Sequence, residues 1–251
     1  MTVLVSDEAG VRTITLNRPE RLNAFSVQLV ADLGAALAAA ATDPHVSVVL
    51  LTGAGRAFSA GADLKEIAEH TVNGAASGET TSAEFDHLIE GLTDLPKPLL
   101  VAVNGVGVGF GMTILGFADV VFMSSEARLR CPFTELGAPP EAASTYLLPL
   151  LVGKQNAAWA LLSSEWISAD EARDIGLVWK VLPADELMAT AQEHARRLAQ
   201  KPAAMLSTVR RLLIAPHRDQ IAAAAARENV YMAELMGTGA NAEALAAFLQ
   251  R

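Results

Sequence analysis

Residues 46–65 read VSVVLLTGAGRAFSAGADLK, and residues 99–113 read LLVAVNGVGVGFGMT. Each stretch begins with a short run that is apolar on both faces, which is typical of a buried strand in a parallel sheet. A glycine-rich turn follows each run, and the sequence after the turn favours a helix. These two stretches predict an α/β fold in which glycine-rich turns join buried strands to helices.

The rest of the chain repeats this alternation of strand and helix. Runs rich in β-branched or apolar residues predict further strands over residues 3–5, 11–16, 120–123 and 177–182. Capping-box patterns, Thr81 with Glu84 and Ser168 with Glu171, predict where two of the helices begin. Residues 71–81 are rich in Gly, Ser and Thr, and we expect them to form a mobile loop.

After Pro183 every signal is helical. We therefore divide the chain into an α/β core, residues 1–182, and a C-terminal helical region, residues 183–251. A terminal helical layer either packs on a neighbouring subunit or covers the sheet of its own chain, and the sequence leaves both arrangements open.

The composition excludes several classes of function. The chain has 251 residues, a net charge of −9 and 51% hydrophobic residues, which fits one globular domain with a sizeable core. Without clustered positive charge, no nucleic-acid partner is expected. One cysteine and five histidines without ligand spacing predict neither a disulfide nor a metal site. No long apolar run or leader pattern is present, so we expect no membrane partner and a cytoplasmic location.

The two glycine-rich turns suggest a chemical role. Backbone N–H groups at the start of a helix have no intrahelical acceptor and lie in a positive partial field, so each turn can donate to a developing oxyanion. Glycines also permit tight turns and close packing, which is the simpler interpretation of either turn alone. Two such turns in one chain favour an oxyanion hole.

Other glycine-rich motifs do not fit the spacing. A dinucleotide fingerprint would need glycine where Phe110 or Met112 stands, and the phosphate-loop pattern is absent. Residues 57–61 come close to a hydrolase nucleophile elbow around Ser59, with His194 or His217 following in the required order. A hydrolase is therefore an alternative, although a serine that simply lines a turn explains Ser59 as well.

Several motifs together resemble the enoyl-CoA hydratase/isomerase family, also called the crotonase superfamily. They are Asn17-Arg18-Pro19 with Asn23-Ala24, the stretch 56–65, Asn104-Gly105 with the glycines up to Gly111, and residues 167–172 and 176–178. The resemblance implies a crotonase-like spiral of ββα units with a C-terminal helical trimerisation layer. It also implies a coenzyme A thioester as substrate, no bound cofactor, and a homotrimer or homohexamer.

The resemblance also implies how the substrate is held. The thioester oxygen is expected to accept from the backbone N–H groups of Ala62 and Phe110. Further contacts with the acyl-CoA are expected at Ala24, Ala60, Gly61, Asp63, Leu64, Lys65 and Gly109. Asp63 could act as an acid but more simply caps a helix. Lys65 and Arg56 could attract coenzyme A phosphates or could be solvated charges.

Hydratases of this family hold water between two glutamates, and those positions are Thr113 and Phe133 here. Neither can serve as a carboxylate base. Residues 131–146 are instead similar to the peroxisomal-type 3,2-enoyl-CoA isomerases, whose single base lies in a Pro-Glu step, so the resemblance implies that Glu141 is the base. A solvated carboxylate in the first turn of a helix is the simpler interpretation of Glu141 alone. Glu135 is the competing candidate, as a helper or as a structural residue.

The function that the sequence predicts is the shift of a double bond from 3-enoyl-CoA to 2-trans-enoyl-CoA through an enolate. One alternative is an enoyl-CoA hydratase or another crotonase-type reaction, such as hydrolysis or decarboxylation, in the same oxyanion hole. Another is a non-catalytic acyl-CoA-binding protein in which Glu141 has no chemical role.

Overall fold

The structure, a computed structural model, describes residues 1–66, 78–236 and 238–249. Its strands are β1 (Val3–Glu8), β2 (Val11–Leu16), β3 (Val48–Gly53), β4 (Ala57–Ser59), β5 (Leu99–Val103), β6 (Val106–Val108), β7 (Val120–Ser124), β8 (Arg128–Arg130), β9 (Ile167–Ser168) and β10 (Lys180–Leu182). Its α-helices are α1 (Val27–Thr42), α2 (Gly78–Asp94), α3 (Phe110–Thr113), α4 (Ser144–Val152), α5 (Lys154–Ser163), α6 (Ala169–Asp174), α7 (Leu187–Ala199), α8 (Ala203–Ile214), α9 (Arg218–Leu235) and α10 (Gly239–Leu249).

A six-stranded sheet with the order β1-β2-β3-β5-β7-β10 forms the centre of the fold. β1 is antiparallel to β2, and all the other neighbours are parallel. Alternate residues of the parallel strands enter two separate clusters of buried apolar side chains, one on each face. This burial of both faces is the physical reason why β3 and β5 are continuously apolar in sequence.

A second sheet of four short strands, in the order β4-β6-β8-β9, lies beside the first. β4 and β6 fall inside the two glycine-rich stretches, so each stretch runs from a long buried strand through a turn into a short strand. We expected only a turn there, which is wrong. Three-residue strands carry too little periodicity to be recognised.

Other boundaries also differ from the expectations. β1 extends to Glu8 and meets β2 through a two-residue turn, Ala9-Gly10, with both φ angles positive. The strand expected over 177–182 begins only at Lys180, because the buried Leu177 and Val178 lie in an irregular connection. Their apolar character correctly indicates that these residues are buried, but it does not indicate their backbone conformation.

The two predicted capping boxes had different outcomes. Both hydrogen bonds of the box between Ser168 and Glu171 are present at α6. The box at Thr81 is wrong, since α2 already begins at Gly78, and the low helix propensity of Ser and Thr is only a weak signal. The expected loop over 71–81 is therefore wrong for residues 78–81, and residues 71–77 lie outside the described residues.

The C-terminal helices fall into two kinds. α7 covers the sheet of its own chain and buries Leu187, Ala191 and Ala195 against it. α8 buries one side chain, Arg210, which pairs with Asp119 at 2.8 Å. Whether residues 1–182 and 183–251 are separate units stays a prediction. In the described part of the chain, no helix has both the length and the apolar character needed to cross a membrane.

Candidate active site

The two glycine-rich stretches meet at the ends of β4 and β6. Gly61 has φ +83°, and a Cβ at this position would stand 2.6 Å from the carbonyl oxygen of Val108. Gly109 has φ +53° and ψ −120°, a conformation open to glycine and strained for other residues. Glycine therefore allows two backbone segments to run within van der Waals contact of each other.

The N–H group of Ala62 is available to a ligand because of how its segment is paired. Phe25 forms a parallel bridge with Ala62. The bonds of this bridge run from Phe25 N–H to Gly61 C=O at 2.7 Å and from Asp63 N–H to Phe25 C=O at 3.0 Å. A parallel bridge of this kind leaves the N–H of the central residue directed to the opposite side of the strand.

Phe110 is the first residue of helix α3, and its N–H group lies at the start of the helix. Gly109 is the residue before the helix, and its carbonyl accepts from Met112 and Thr113 at 2.8 and 2.9 Å. As the first residue of the helix, Phe110 has no intrahelical acceptor for its own N–H. Its ring is buried and makes edge contacts with Phe25 and Phe85, so the side chain anchors the donor.

Asn23 braces the segment that carries Ala62. It is fully buried at φ +55°, and its Oδ1 accepts from the N–H of Arg18 at 2.8 Å. Its Nδ2 donates to the carbonyls of Ala54 and Ala57 at 2.9 and 2.8 Å. One amide side chain thus ties the loop after β2 to both ends of the turn between β3 and β4.

Arg18 adds a second brace. Its Nη1 donates to the carbonyl of Ala24 at 2.6 Å and pairs with Asp63 Oδ2 at 3.0 Å. Asp63 Oδ1 also accepts from the N–H of Glu66 at 3.4 Å, as expected of a helix cap. Asp63 is therefore committed to structure, and the geometry does not favour its use as an acid.

Ser59 is not placed for nucleophilic attack. It is fully buried, its hydroxyl donates to the carbonyl of Asn23 at 2.8 Å, and the N–H of Gly61 donates to it at 3.1 Å. His194 lies against Phe122 and Trp179, and His217 bonds Tyr146, so neither is paired with Ser59 in the described ranges. This network occupies the hydroxyl, so the geometry does not favour Ser59 as the nucleophile of a hydrolase.

The remaining predicted contact residues lie along the same segment. The N–H of Ala60 donates to the carbonyl of Leu22 at 2.9 Å, and Leu64 is half-buried at the start of the following helix. Lys65 and Arg56 are exposed. Their exposed side chains are accessible to an anionic ligand, and their role in binding stays a prediction.

Glu141 lies opposite the two turns. A methyl group at position 109 would stand 4.0 Å from Oε1 of Glu141 and 3.9 Å from the Cα of Gly61. Glu141 comes three residues before α4 and is not in its first turn, so the simpler interpretation of a helix-start carboxylate is wrong. The fold thus brings Gly61, Gly109 and the carboxylate of Glu141 into one place.

The environment of Glu141 changes its acidity. The pKa of Glu141 is raised to about 7, first by burial and then by the charge of Glu228. The nearby thiol of Cys131 is buried, and its pKa is raised first by that burial and then by the charge of Glu141. A carboxylate with a pKa near neutrality can both take and return a proton at physiological pH.

The other candidates for the base are placed differently. Glu135 forms an ion pair with Arg130 at 2.7 Å, which favours the structural role for this residue. Thr113 is fully buried in α3, and Phe133 belongs to the main apolar cluster. No group of three or more His, Cys, Asp or Glu side chains in the described ranges is arranged to hold a metal ion.

The profile of the family described as enoyl-CoA hydratase/isomerase matches residues 6–251. The chain belongs to the enoyl-CoA hydratase/isomerase family. The crotonase-like α/β fold expected from the sequence is thereby confirmed. As an enzyme of this family, the protein has an acyl-CoA compound as its implied substrate.

Proteins named as isomerases and proteins named as hydratases are both similar to this chain. The 1,2-epoxyphenylacetyl-CoA isomerase of Escherichia coli K12 is 36% identical over 84% of this chain and 81% of its own length. The peroxisomal enoyl-CoA delta isomerase 3 of Mus musculus is 39% identical over 72% of this chain and 57% of its own length. The crystal structure of an enoyl-CoA hydratase from Mycobacterium marinum is 52% identical, with a TM-score of 0.79 over 86% of this chain and 100% of that one.

Sequence reasoning did not assign the roles of Arg18 and Asn23, although both stood in the motif that carried the resemblance. Asn23 is a polar residue among apolar neighbours directly before Ala24-Phe25, and a buried amide must find partners. That pattern was the available signal. The carbonyls of Ala54 and Ala57 that Asn23 binds, more than 30 residues away, were not readable from the sequence.

Proposed function

We propose that the protein is a 3,2-enoyl-CoA isomerase that moves a double bond from C3–C4 to C2–C3 of an acyl-CoA thioester. The observation that carries this proposal is the carboxylate of Glu141 opposite the Gly61 and Gly109 turns. Thr113 and Phe133 hold the positions where the resemblance implies glutamates in hydratases. Isomerisation needs one base and one oxyanion hole.

In the proposed reaction, ionised Glu141 removes a proton from C2 of the 3-enoyl thioester. The electron pair moves into the thioester carbonyl, whose oxygen accepts from the N–H groups of Ala62 and Phe110. The resulting dienolate takes the same proton back from Glu141 at C4, which leaves the double bond between C2 and C3. Proton and electrons stay within substrate and base, so the reaction needs no bound cofactor.

The pKa of Glu141, raised by burial to about 7, supports this assignment. A general base is most useful when its pKa lies near the working pH, because it must hold the proton briefly and then release it. An ordinary, fully solvated glutamate has a lower pKa and is a weaker base, so it would remove the proton from C2 less readily. Activity is accordingly expected to fall as the pH drops below about 7.

The deciding experiment compares turnover of a 3-enoyl-CoA and the matching 2-enoyl-CoA by one preparation. We expect conversion of the 3-enoyl thioester and weak or no hydration of the 2-enoyl thioester. Glu141→Gln should keep the fold and the affinity for acyl-CoA while isomerase turnover falls by roughly 10²- to 10⁴-fold, as expected for the loss of a general base.

Glu135→Gln is the matched control, and it should retain isomerase activity. The reverse pattern, in which Glu135→Gln loses activity and Glu141→Gln keeps it, would assign the base to Glu135. Rapid hydration of the 2-enoyl thioester would favour the hydratase alternative. Binding of 3-enoyl thioesters without turnover would favour a non-catalytic acyl-CoA-binding protein.

We also propose that the protein assembles as a homotrimer or homohexamer. α8 exposes Met205, Val209, Leu212 and Leu213, each with more than half of its accessible surface open to solvent. A contiguous exposed apolar face on one helix is typical of an assembly surface. Light scattering at micromolar concentration should give three or six times the 26.3 kDa mass of the chain, and a monomeric or dimeric mass would contradict this proposal.

A further inference from the structure

Glu228 lies in α9, far from Glu141 in sequence, and its residue is only 5% exposed. Its Oε1 accepts two hydrogen bonds from Thr145, from the backbone N–H at 2.8 Å and from the hydroxyl at 2.5 Å. Thr145 is the second residue of α4, the helix that follows Glu141. A side chain of the C-terminal helices thus holds the segment that carries the proposed base.

The carboxylate of Glu228 acts as the cap of α4. Ala143, the residue before this helix, provides no side-chain hydrogen bond to the helix start. An acceptor with negative charge at this end satisfies an N–H group and interacts favourably with the helix dipole. Since α4 has no cap of its own, its start depends on α9.

The turn between Glu141 and α4 needs such an external hold. Ala142 has φ +61° and Ala143 has φ +54°, a region that costs L-residues about 1–2 kcal/mol each. One hydrogen bond inside the turn, from Ser144 N–H to the carbonyl of Glu141 at 3.1 Å, closes it. Strain of this kind persists where the surrounding structure over-determines the backbone, and it concentrates at functional sites.

The second oxygen of Glu228 carries charge into the same region. Oε2 is buried and has no hydrogen-bond partner among the described residues. Burial raises the pKa of Glu228, while hydrogen bonds from Thr145 and from the backbone of Ala143, together with the charge of Arg227, favour its ionised form. Among the described residues, the titratable groups that interact with Glu141 are Glu228 and Cys131, and the thiol of Cys131 stays neutral because burial raises its pKa. A buried acceptor without a hydrogen bond reduces the stability of the folded protein, so its presence here calls for a functional explanation.

We propose that Glu228 is a positioning residue for Glu141, which holds the 141–145 turn in place and keeps a second negative charge behind the base. This inference rests on the proposed role of Glu141. The first effect fixes the carboxylate against the oxyanion turns. The second makes the ionised base less favourable, so that Glu141 binds a proton more tightly during turnover.

Two substitutions separate the two effects. Glu228→Gln keeps an oxygen that accepts from Thr145 and removes the charge, whereas Glu228→Ala removes both. We expect Glu228→Gln to keep the limiting turnover at high pH within about threefold and to move the acid limb of the pH profile to lower pH by on the order of half a unit or more. Glu228→Ala should in addition lower the limiting turnover by about tenfold, because the base is no longer held.

Glu234→Gln is the matched control, since Glu234 is exposed on the same helix and the change removes the same charge. It should leave both the limiting turnover and the acid limb unchanged. An acid limb that Glu234→Gln moves as far as Glu228→Gln does would contradict a specific role for Glu228. Equal limiting turnover in wild type and Glu228→Ala would overturn the positioning effect.

A readout without turnover distinguishes this inference from the proposed function. The carboxyl infrared band of Glu141, isolated as the difference between wild type and Glu141→Gln, can be titrated directly. In the Glu228→Gln background the same difference band should titrate at lower pH. A band that titrates identically in both backgrounds overturns the electrostatic effect. A shifted band in a protein without isomerase activity supports the coupling and counts against the proposed reaction.

Discussion

The segment that carries Ala62 and the segment that carries Glu141 face each other, yet they are held in different ways. Around Ala62, the side chains of Asn23 and Arg18 bind backbone carbonyls and Asp63, so the segment is tied by satisfied polar groups. Around Glu141, the backbone passes through two alanines with positive φ, and two buried oxygens, Ser144 Oγ and Glu228 Oε2, have no hydrogen-bond partner among the described residues.

This difference matches the two tasks. A donor to an oxyanion works best when it is fixed in advance, because nothing then reorganises as charge develops. A base that changes its charge twice in one reaction cycle is poorly served by a site that strongly stabilises either form. The segment around Ala62 is therefore held by satisfied hydrogen bonds, whereas, in the part of the chain that the structure describes, the segment around Glu141 contains a strained turn and unpaired buried oxygens.

Among the changes that leave the proposed base intact, the largest expected effect comes from removing the backbone donor of Ala62. Ala62→Pro deletes the N–H group of Ala62 while leaving the bridge bonds of Phe25, Gly61 and Asp63 in place. Loss of one oxyanion donor typically costs on the order of 3 kcal/mol in activation free energy, or ~10²-fold or more in rate. The measurement is kcat for the 3-enoyl thioester, with circular dichroism to show that the variant is folded.

Two controls sharpen that result. Ala62→Gly keeps the N–H and should retain most of the turnover. Phe110→Leu also keeps its N–H and should be tolerated catalytically, although the lost contacts with Phe25 and Phe85 should reduce the free energy of unfolding. A folded Ala62→Pro variant with wild-type kcat would remove Ala62 from the oxyanion hole.

The second prediction tests how much Asn23 stabilises the segment that carries Ala62. Asn23→Ala removes three hydrogen bonds from a fully buried position, to the N–H of Arg18 and to the carbonyls of Ala54 and Ala57, of which the last keeps a bond from Asn104 at 3.3 Å. We expect the free energy of unfolding to fall by about 2–3 kcal/mol. Asn17→Ala is the control, because the side chain of Asn17 makes an exposed bond to the carbonyl of Met1 and its loss should cost little. Chemical denaturation of both variants checks this, and equal losses would contradict the role given to Asn23.

The third prediction concerns stability on the strained side. The pKa of Glu141 in the folded protein, about 7, is higher than its ordinary value of 4.5, so the folded state binds the proton more tightly. The free energy of unfolding should therefore fall as the pH rises from about 4.5 to 7. Glu141→Gln cannot ionise and should be more stable than wild type by about 1–3 kcal/mol at pH 8, with little difference at pH 4. Melting temperatures at the two pH values check this, and a destabilised variant at pH 8 would show that the ionised carboxylate is well solvated.

The smallest predicted effect compares two turns with positive φ. Ala9→Asn should stabilise the protein by about 0.5–1 kcal/mol, because Asn tolerates this conformation in a two-residue hairpin turn and Ala9 is exposed. Ala143→Gly relieves similar strain but gives up a fully buried methyl group, so the two effects should nearly offset. Denaturation midpoints measure both. A large gain from Ala143→Gly would mean that the strain at this turn is not offset by packing.

The larger sheet was predictable from the sequence, and the smaller one was not. β3 and β5 are long enough, and apolar on enough successive positions, to identify themselves as buried strands. β4 and β6 are three residues each and contain or adjoin glycine, so neither periodicity nor composition marks them. The resemblance implied ββα units, but the residues alone indicated only turns.

The candidate site shows the same limit. The local pattern indicated backbone donors at the two glycine-rich turns, and the resemblance assigned them to Ala62 and Phe110. The pairing of Arg18 with Asp63 joins residues 45 positions apart, and Glu228 lies 83 positions from Thr145. Such contacts depend on how helices pack, which no local signal encodes. The positive φ angles at Ala142 and Ala143 were equally unreadable, since alanine favours a helix.

The chain has a single cysteine, Cys131, and the reactivity of its thiol can report on the region around Glu141. Cys131 is fully buried and lies within reach of the charge of Glu141. A thiol in this position reacts with an alkylating reagent only when its surroundings open, and no other thiol contributes to the signal. The rate of alkylation under native conditions therefore measures how often this half of the site opens, and the ligand dependence of that rate measures how far a bound thioester closes it.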